Sequence, residues 1–361
     1  MTPIVTTAIK RGESASDCPG GNLSPLHGFD LGSPVESDFR PDRAKMGRDR
    51  ALEETPRQSG WKAKVLPVSA VAVASALSVL AGSPMAAAED GGRLHLALNI
   101  GGQFDGLVET GFNLADVGSV GGLDQLPEGM RGVLWIGNGY NQECSWRLSD
   151  DEVREIVTQA REHPKFSGIY FISDEPHPAV CADAPEQLAM RSALVRSLDP
   201  NGRTFAIVQN GSKGEGEFEM MRDSVDLVGV NPYPCNFKNA ESGCDLEALK
   251  RRIDTALGAG IAVERIVPVF QTFGQECAAV EMPHYRMPTV DEARAMLKLW
   301  DELVPRDGRP FDVAYSWGKQ SRTACPTLSV ANGDEYPDLL ALYAEYFQVT
   351  QRTSLRKSGS D

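Results

Sequence analysis

From Leu94 to Trp317, short runs of β-branched, aliphatic and aromatic residues alternate with longer stretches whose apolar positions recur every three to four residues. Runs of the first kind read as strands and stretches of the second kind as amphipathic helices, and their alternation predicts βα units around a parallel sheet. Eight strands are predicted: Leu94–Ile100, Phe112–Asp116, Gly132–Ile136, Gly168–Ser173, Thr204–Gln209, Val225–Val230, Ile266–Phe270 and Asp312–Trp317. The second rests mainly on Gly111-Phe112-Asn113-Leu114. Helix starts are marked where a capping side chain precedes a Glu by three residues, at Ser149 with Glu152, Asp183 with Glu186 and Thr289 with Glu292. A last helix near Tyr336–Phe347 would close the ring. An open doubly wound sheet uses the same alternation, but no G-x-G-x-x-G follows the first strand. The expected fold is therefore α/β, a (β/α)8 TIM barrel formed as a single domain over residues 89–350, with 351–361 a disordered tail.

Upstream of the barrel the pattern changes. Residues 1–60 are rich in Gly, Pro, Ser, Asp and Arg without apolar periodicity, the composition of a disordered or mis-assigned extension that cannot bury a core. Residues 61–88 then present Lys62 and Lys64, an apolar run from Val65 to Leu80, and Ser83-Pro84-Met85-Ala86-Ala87-Ala88. A basic region, a short apolar region and an A-x-A site in that order predict a signal peptide cleaved after Ala88. Pro67, Ser69, Ser75 and Ser78 interrupt the run, which argues against a membrane span and so against stable membrane insertion after cleavage. Met46 is a candidate start, because a signal sequence begins close to its charged region.

Export changes how the cysteines are read. Seven are present, and setting Cys18 aside with the removed segment leaves Cys144, Cys181, Cys235, Cys244, Cys277 and Cys325. An even count in a secreted, extracellular chain predicts three disulfides; pairing is open among the possibilities, with Cys235 and Cys244 an attractive local pair. The spacing contains no C-x-x-C and no paired His nearby, so no metal is expected, and no cofactor motif is present. All six fall in or near the segments that follow predicted strands, where they would brace the loops at the barrel's C-terminal face. The net charge is −14; residues 1–88 carry ten basic and nine acidic side chains, leaving about −15 on the mature part. Nucleic acid is thereby disfavoured as a partner, since its backbone is held by clustered Lys and Arg. A monomer is expected.

Barrel sites lie beyond the C-terminal strand ends. Those segments here are polar and aromatic: Asn138 and Tyr140, Asp174-Glu175-Pro176-His177, Gln209, Asn231-Pro232-Tyr233, Gln271-Thr272-Phe273 and Trp317. The fourth-strand run Gly168-Ile169-Tyr170-Phe171-Ile172-Ser173-Asp174-Glu175-Pro176 resembles that of barrel glycoside hydrolases, in which a carboxylic acid at this place protonates the leaving glycosidic oxygen. The resemblance implies a carbohydrate substrate and Glu175 as general acid, with Asp174 the like-charged neighbour that helps keep one carboxyl protonated. In the largest group of such barrels a glutamate nucleophile ends the seventh strand, where this chain has Gln271, and an amide cannot form a glycosyl-enzyme.

The Asp174-Glu175 pair is similar to that of hexosaminidases and some galactosaminidases, where the substrate's 2-acetamido group replaces the enzyme nucleophile. That similarity implies Asp174 orienting the acetamido nitrogen, Asn231 or Tyr233 bonding its oxygen, and Trp317 forming the floor on which the sugar stacks. Alternation of side chains along a strand opposes it, because Glu175 pointing inward with Ser173 and Phe171 would send Asp174 outward. Other readings stand beside these. Asp174 can cap a loop, Glu175 can be a salt-bridged rim residue, His177 and His284 can be ordinary loop residues, and Glu276 can be a second carboxylate or a loop residue. Tyr140, Trp146, Tyr233 and Trp317 can stack on sugars or simply pack. A barrel that binds glycan without cleaving it, and a secreted structural or adhesion module, are the alternatives to an enzyme.

Overall fold

A computed structural model describes residues 93–141, 143–208, 216–277, 281–320, 322–329 and 336–358. The extension, the signal segment, Cys18 and Gln209 lie outside the described residues.

Eight parallel strands close a barrel in sequence order: β1 His95–Ala97, β2 Leu114–Val117, β3 Arg131–Trp135, β4 Phe166–Asp174, β5 Arg203–Ile207, β6 Leu227–Val230, β7 Ile266–Gln271 and β8 Asp312–Tyr315. The ring is shut by β1 against β8, with Leu96 beside Val313. Eight α-helices are described: α1 Leu107–Thr110, α2 Val120–Asp124, α3 Asp150–Ala160, α4 Ala184–Leu198, α5 Glu217–Ser224, α6 Leu246–Gly258, α7 Val290–Leu303 and α8 Pro337–Ser358. Every predicted strand is present, and the (β/α)8 barrel with it. None of the helices among the described residues is long and apolar enough to cross a membrane.

The alternation of each strand divides its side chains between two cores. Inward, Leu96, Leu114, Val133, Ile169, Phe171, Phe205, Ile207, Leu227, Val267, Val269 and Val313 fill the barrel. Outward, Ala97, Ala115, Leu134, Tyr170, Ile172, Ala206, Val228, Val230, Phe270 and Ala314 pack against the helices. Burying each larger side chain contributes about 1.5–3 kcal/mol, so the two layers together make the barrel the stable body on which the loops are carried. Space inside is tight. A Cβ at Gly229 would come within 2.6 Å of Ile207 Cγ1, so a glycine on β6 lets Phe205 and Ile207 fill the interior.

Some boundaries differ from the sequence pattern. Phe112 lies outside β2, because Gly111 at φ 99° caps α1 and turns Phe112 onto Trp317 and Phe347, with ring centroids 5.4 and 4.8 Å away. Ser149 and Thr289 form the expected capping boxes with Glu152 and Glu292. Asp183 does not: its backbone sits at φ −88°, ψ 0° instead of extended, Pro185 follows in the first turn, and its side chain makes no cap bond. The closing helix α8 continues past Phe347 through part of the expected tail, since the chain meets no Gly or Pro until Gly359.

The disulfides pair Cys144 with Cys181, Cys235 with Cys244 and Cys277 with Cys325. They tie the β3–α3 loop to the β4–α4 loop, close the β6–α6 loop on itself, and tie the β7–α7 loop to the segment after β8. All three brace the C-terminal face.

Candidate active site

At the end of β4 the register with β5 slips. Tyr170 pairs with Thr204 and Phe171 with Phe205, but the next pairs are Ser173 with Ala206 and Asp174 with Ile207, leaving Ile172 as an extra residue. This bulge overturns the alternation expected from sequence. Ser173 moves to the outer side with Ala206 and donates its hydroxyl to Gly139 O at 2.8 Å, while Asp174 joins Ile207 on the inner side. Asn138 Oδ1 holds the new register by accepting the Asp174 and Gly139 N–H groups, each at 2.9 Å.

Glu175 then departs from strand geometry altogether. Its φ is 53°, the left-handed region, which costs a non-glycine residue about 1–2 kcal/mol, and its N–H still donates to Ile207 O at 2.9 Å. The residue before Pro176 thus makes a left-handed turn. It brings the Glu175 carboxylate to Asn231, whose Nδ2 donates to Oε1 at 3.1 Å. Bulge and turn together place both acidic side chains at one end of the barrel.

The electrostatics report the same convergence. Burial, then the Glu175 charge, pushes the Asp174 carboxyl up to about 8. Burial raises the Tyr315 hydroxyl, with Asp174 and Glu175 adding to it; burial, Tyr315, Glu175 and Asp174 raise Tyr233. The two tyrosine rings stack at 5.6 Å and 23°. Trp135, Tyr233 and Tyr315, each half-buried, are the aromatic residues that pack on top of the buried interior cluster. Tyr233 and Tyr315 lie close enough to the two carboxyls to feel their charge. A further carboxyl, Asp116, ends the inner face of β2; it accepts Trp135 Nε1–H at 3.2 Å and Ile100 N–H at 3.1 Å, and burial raises its pKa against these bonds.

Other predicted site residues are placed differently. Trp317 is wholly buried between barrel and helices; its indole donates to Gln103 O at 2.9 Å and its ring meets Phe112, so it offers no surface as a sugar floor. Gln271 is also buried. Its Oε1 accepts Cys235 N–H at 2.9 Å and its Nε2 donates to Cys235 O and Arg286 O, which makes it a brace for two loops instead of a ligand-binding group. Tyr140 packs edge-on to Trp146 at 5.0 Å and is nearly covered. Asn138 acts on the backbone of Asp174, and Asn231 on Glu175. Glu276 accepts Met287 N–H and the Tyr336 hydroxyl, the bonds of a loop residue. The sequence reading missed Asp116, Trp135 and Tyr315. Each is a polar or aromatic residue at the C-terminal end of a strand, two positions after an inner apolar residue, and that parity is the signal that would have found them.

No family model matches the sequence, and no curated protein matches it. Solved structures do share the architecture. The β-galactosidase of Bacillus circulans sp. alkalophilus superposes with a TM-score of 0.53 at 8% identity, over 74% of this chain and 57% of that one. The β-galactosidase of the psychrophilic Marinomonas ef1 gives 0.51 at 10% identity, over 74% and 61%. A β-glucuronidase of Bacteroides uniformis gives 0.39 at 12%, over 58% and 27%. This chain therefore spans less than two thirds of each of these proteins. At such identity the likeness to the two β-galactosidases is one of fold.

Proposed function

We propose that this chain is an extracellular glycoside hydrolase-like enzyme that cleaves O-glycosidic bonds, with Glu175 as general acid and Asp174 as its partner. One observation carries the reading: the β4 bulge and the left-handed turn at Glu175 bring two adjacent carboxyls together at the C-terminal end of the barrel, beside Tyr233 and Tyr315. Two carboxyls so close in a desolvated site do not both ionise near neutral pH, so the pair holds one proton. That is the state general acid catalysis of glycoside cleavage requires, one group protonated and one charged.

Gln271 supports a substrate-assisted course. The place where many barrel glycosidases hold a nucleophile carries an amide committed to loop backbone. The substrate's 2-acetamido oxygen then attacks the anomeric carbon. When the acetamido N–H donates to Asp174 it favours the charged form of that carboxyl, so the shared proton moves to Glu175, which passes it to the leaving oxygen; Glu175 afterwards takes a proton from the water that opens the cyclic intermediate. Three disulfides support secretion, because such cross-links persist in oxidising compartments.

Aryl glycosides with and without a 2-acetamido group test the reading. Wild type is expected to cleave the acetamido substrates, and Glu175→Gln to lose about 10²–10⁴-fold in rate. Activity untouched by that substitution would remove Glu175 as the acid, and cleavage confined to plain glucosides or mannosides would remove the substrate-assisted course. The buried amide at Gln271 also favours a second reading, a barrel that binds glycan without turnover, for which binding persists and no aryl glycoside is cleaved.

A further inference from the structure

The mouth contains one aromatic residue fixed from two sides. Phe171 covers one face of the Trp135 indole, with ring centroids 3.7 Å apart and planes at 27°, and Asp116 Oδ2 holds its N–H at 3.2 Å. Asp116 is itself anchored through Oδ1 to Ile100 N–H. Trp135 remains half-buried although its lower face is taken, and it sits on the inner face of β3 directly beside Phe171 in β4. An indole locked in plane and tilt loses little freedom when a ring is laid on it, the preorganisation a stacking platform needs.

We infer that Trp135 is the floor on which a pyranose ring stacks its C–H face, and that Asp116 is the positioning residue that sets the indole. The ligand class is thus a pyranoside that presents an apolar C–H face to the indole. This rests on the carbohydrate reading of the site, and deepens it by moving the stacking role from Trp317 to a residue that reaches the mouth.

Binding measured in the Glu175→Gln background, where turnover is suppressed, separates the two claims. The probes are chitotetraose, cellotetraose, mannotetraose and a β-galactotetraose, read by intrinsic tryptophan fluorescence and calorimetry. Trp300 and Trp317 are fully buried, so a ligand-induced change reports on the remaining tryptophans. At least one tetrasaccharide is expected to bind and perturb the emission. Trp135→Phe, which keeps the contact with Phe171, is expected to abolish that change and weaken the dissociation constant about tenfold. Asp116→Ala is expected to weaken binding about fivefold, and Asp116→Asn, which retains an acceptor for the indole, to restore most of it; this second pair decides the matter if Trp135→Phe does not fold. A tetrasaccharide bound as tightly by Trp135→Phe and Asp116→Ala as by the parent overturns the floor while leaving a carbohydrate site intact. Binding of none of the four overturns the floor and the carbohydrate reading together.

Discussion

Asp174 is the residue whose chemistry most depends on its surroundings. Its carboxyl is raised from an ordinary 3.8 to about 8 by burial and then by the charge of Glu175, so the folded state holds a proton that the unfolded chain releases near pH 4. Protonation linked to folding stabilises the protein fully below pH 4, and that contribution drains away as pH rises through about 8. Asp174→Asn cannot ionise, so thermal melts of the two proteins at pH 5, 7 and 9 are expected to diverge, wild type falling relative to the variant as pH increases. In Glu175→Gln the like charge is gone, so the stability lost as Asp174 ionises is expected to be smaller and to be complete at lower pH. A constant gap between wild type and Asp174→Asn across this range would show that Asp174 titrates normally. The sequence named both acids from their place beside Pro176 at the fourth strand end, but it could not place them. Their orientation depends on one extra residue, Ile172, and on a left-handed Glu175, neither of which has a signature in side-chain type. Trp317 was left open between stacking and packing for a related reason: a large aromatic at a strand end is equally suited to either face, and only its contacts with Phe112 and Gln103 decide for packing.

Among the elements, the strands were legible because an apolar run buried on both faces has few other uses in a βα repeat. Helix starts were legible where the backbone leaves the capping residue extended, as at Ser149 (ψ 162°) and Thr289 (ψ 164°), so that the side chain can turn back to the Glu N–H. Asp183 has the same letters and the wrong backbone. The contrast has a thermodynamic consequence. Ser149→Ala and Thr289→Ala each remove a cap and are expected to cost about 1 kcal/mol in urea unfolding, while Asp183→Ala is expected to stay within about 0.5 kcal/mol. An Asp183→Ala penalty equal to the other two would mean that its side chain caps α4 in solution. The second strand shows the other limit of reading by pattern. Phe112 is apolar because α8 and Trp317 pack on it, so hydrophobicity set by tertiary contact was counted as strand.

For the molecule as a whole, the cross-links decide how firmly the mouth is held, and they do so unequally. In the chain-entropy account a cross-link stabilises according to the length it closes: about 3 kcal/mol for the 9-residue separation of Cys235 and Cys244, and about 4 kcal/mol for the separations of 37 and 48 in the other two. The difference in stability is small, but the loops they serve differ. The β6–α6 loop has a second clamp, because Gln271 binds Cys235 N–H and Cys235 O as well as Arg286 O. The Cys144–Cys181 bond joins the loop that carries Asn138 to the loop that follows Glu175, and Asn138 is what accepts the Asp174 N–H at the bulge. Loosening that connection acts directly on the acidic pair. Replacing Cys144 and Cys181 together by Ser is therefore expected to reduce turnover of an acetamido aryl glycoside well beyond its effect on stability, whereas the Cys235/Cys244 double replacement is expected to lower the urea midpoint and leave turnover of the folded fraction nearly unchanged. Rates measured at temperatures where each variant is fully folded make the comparison, and equal losses of turnover in the two variants would show that Gln271 does not hold its loop without the disulfide.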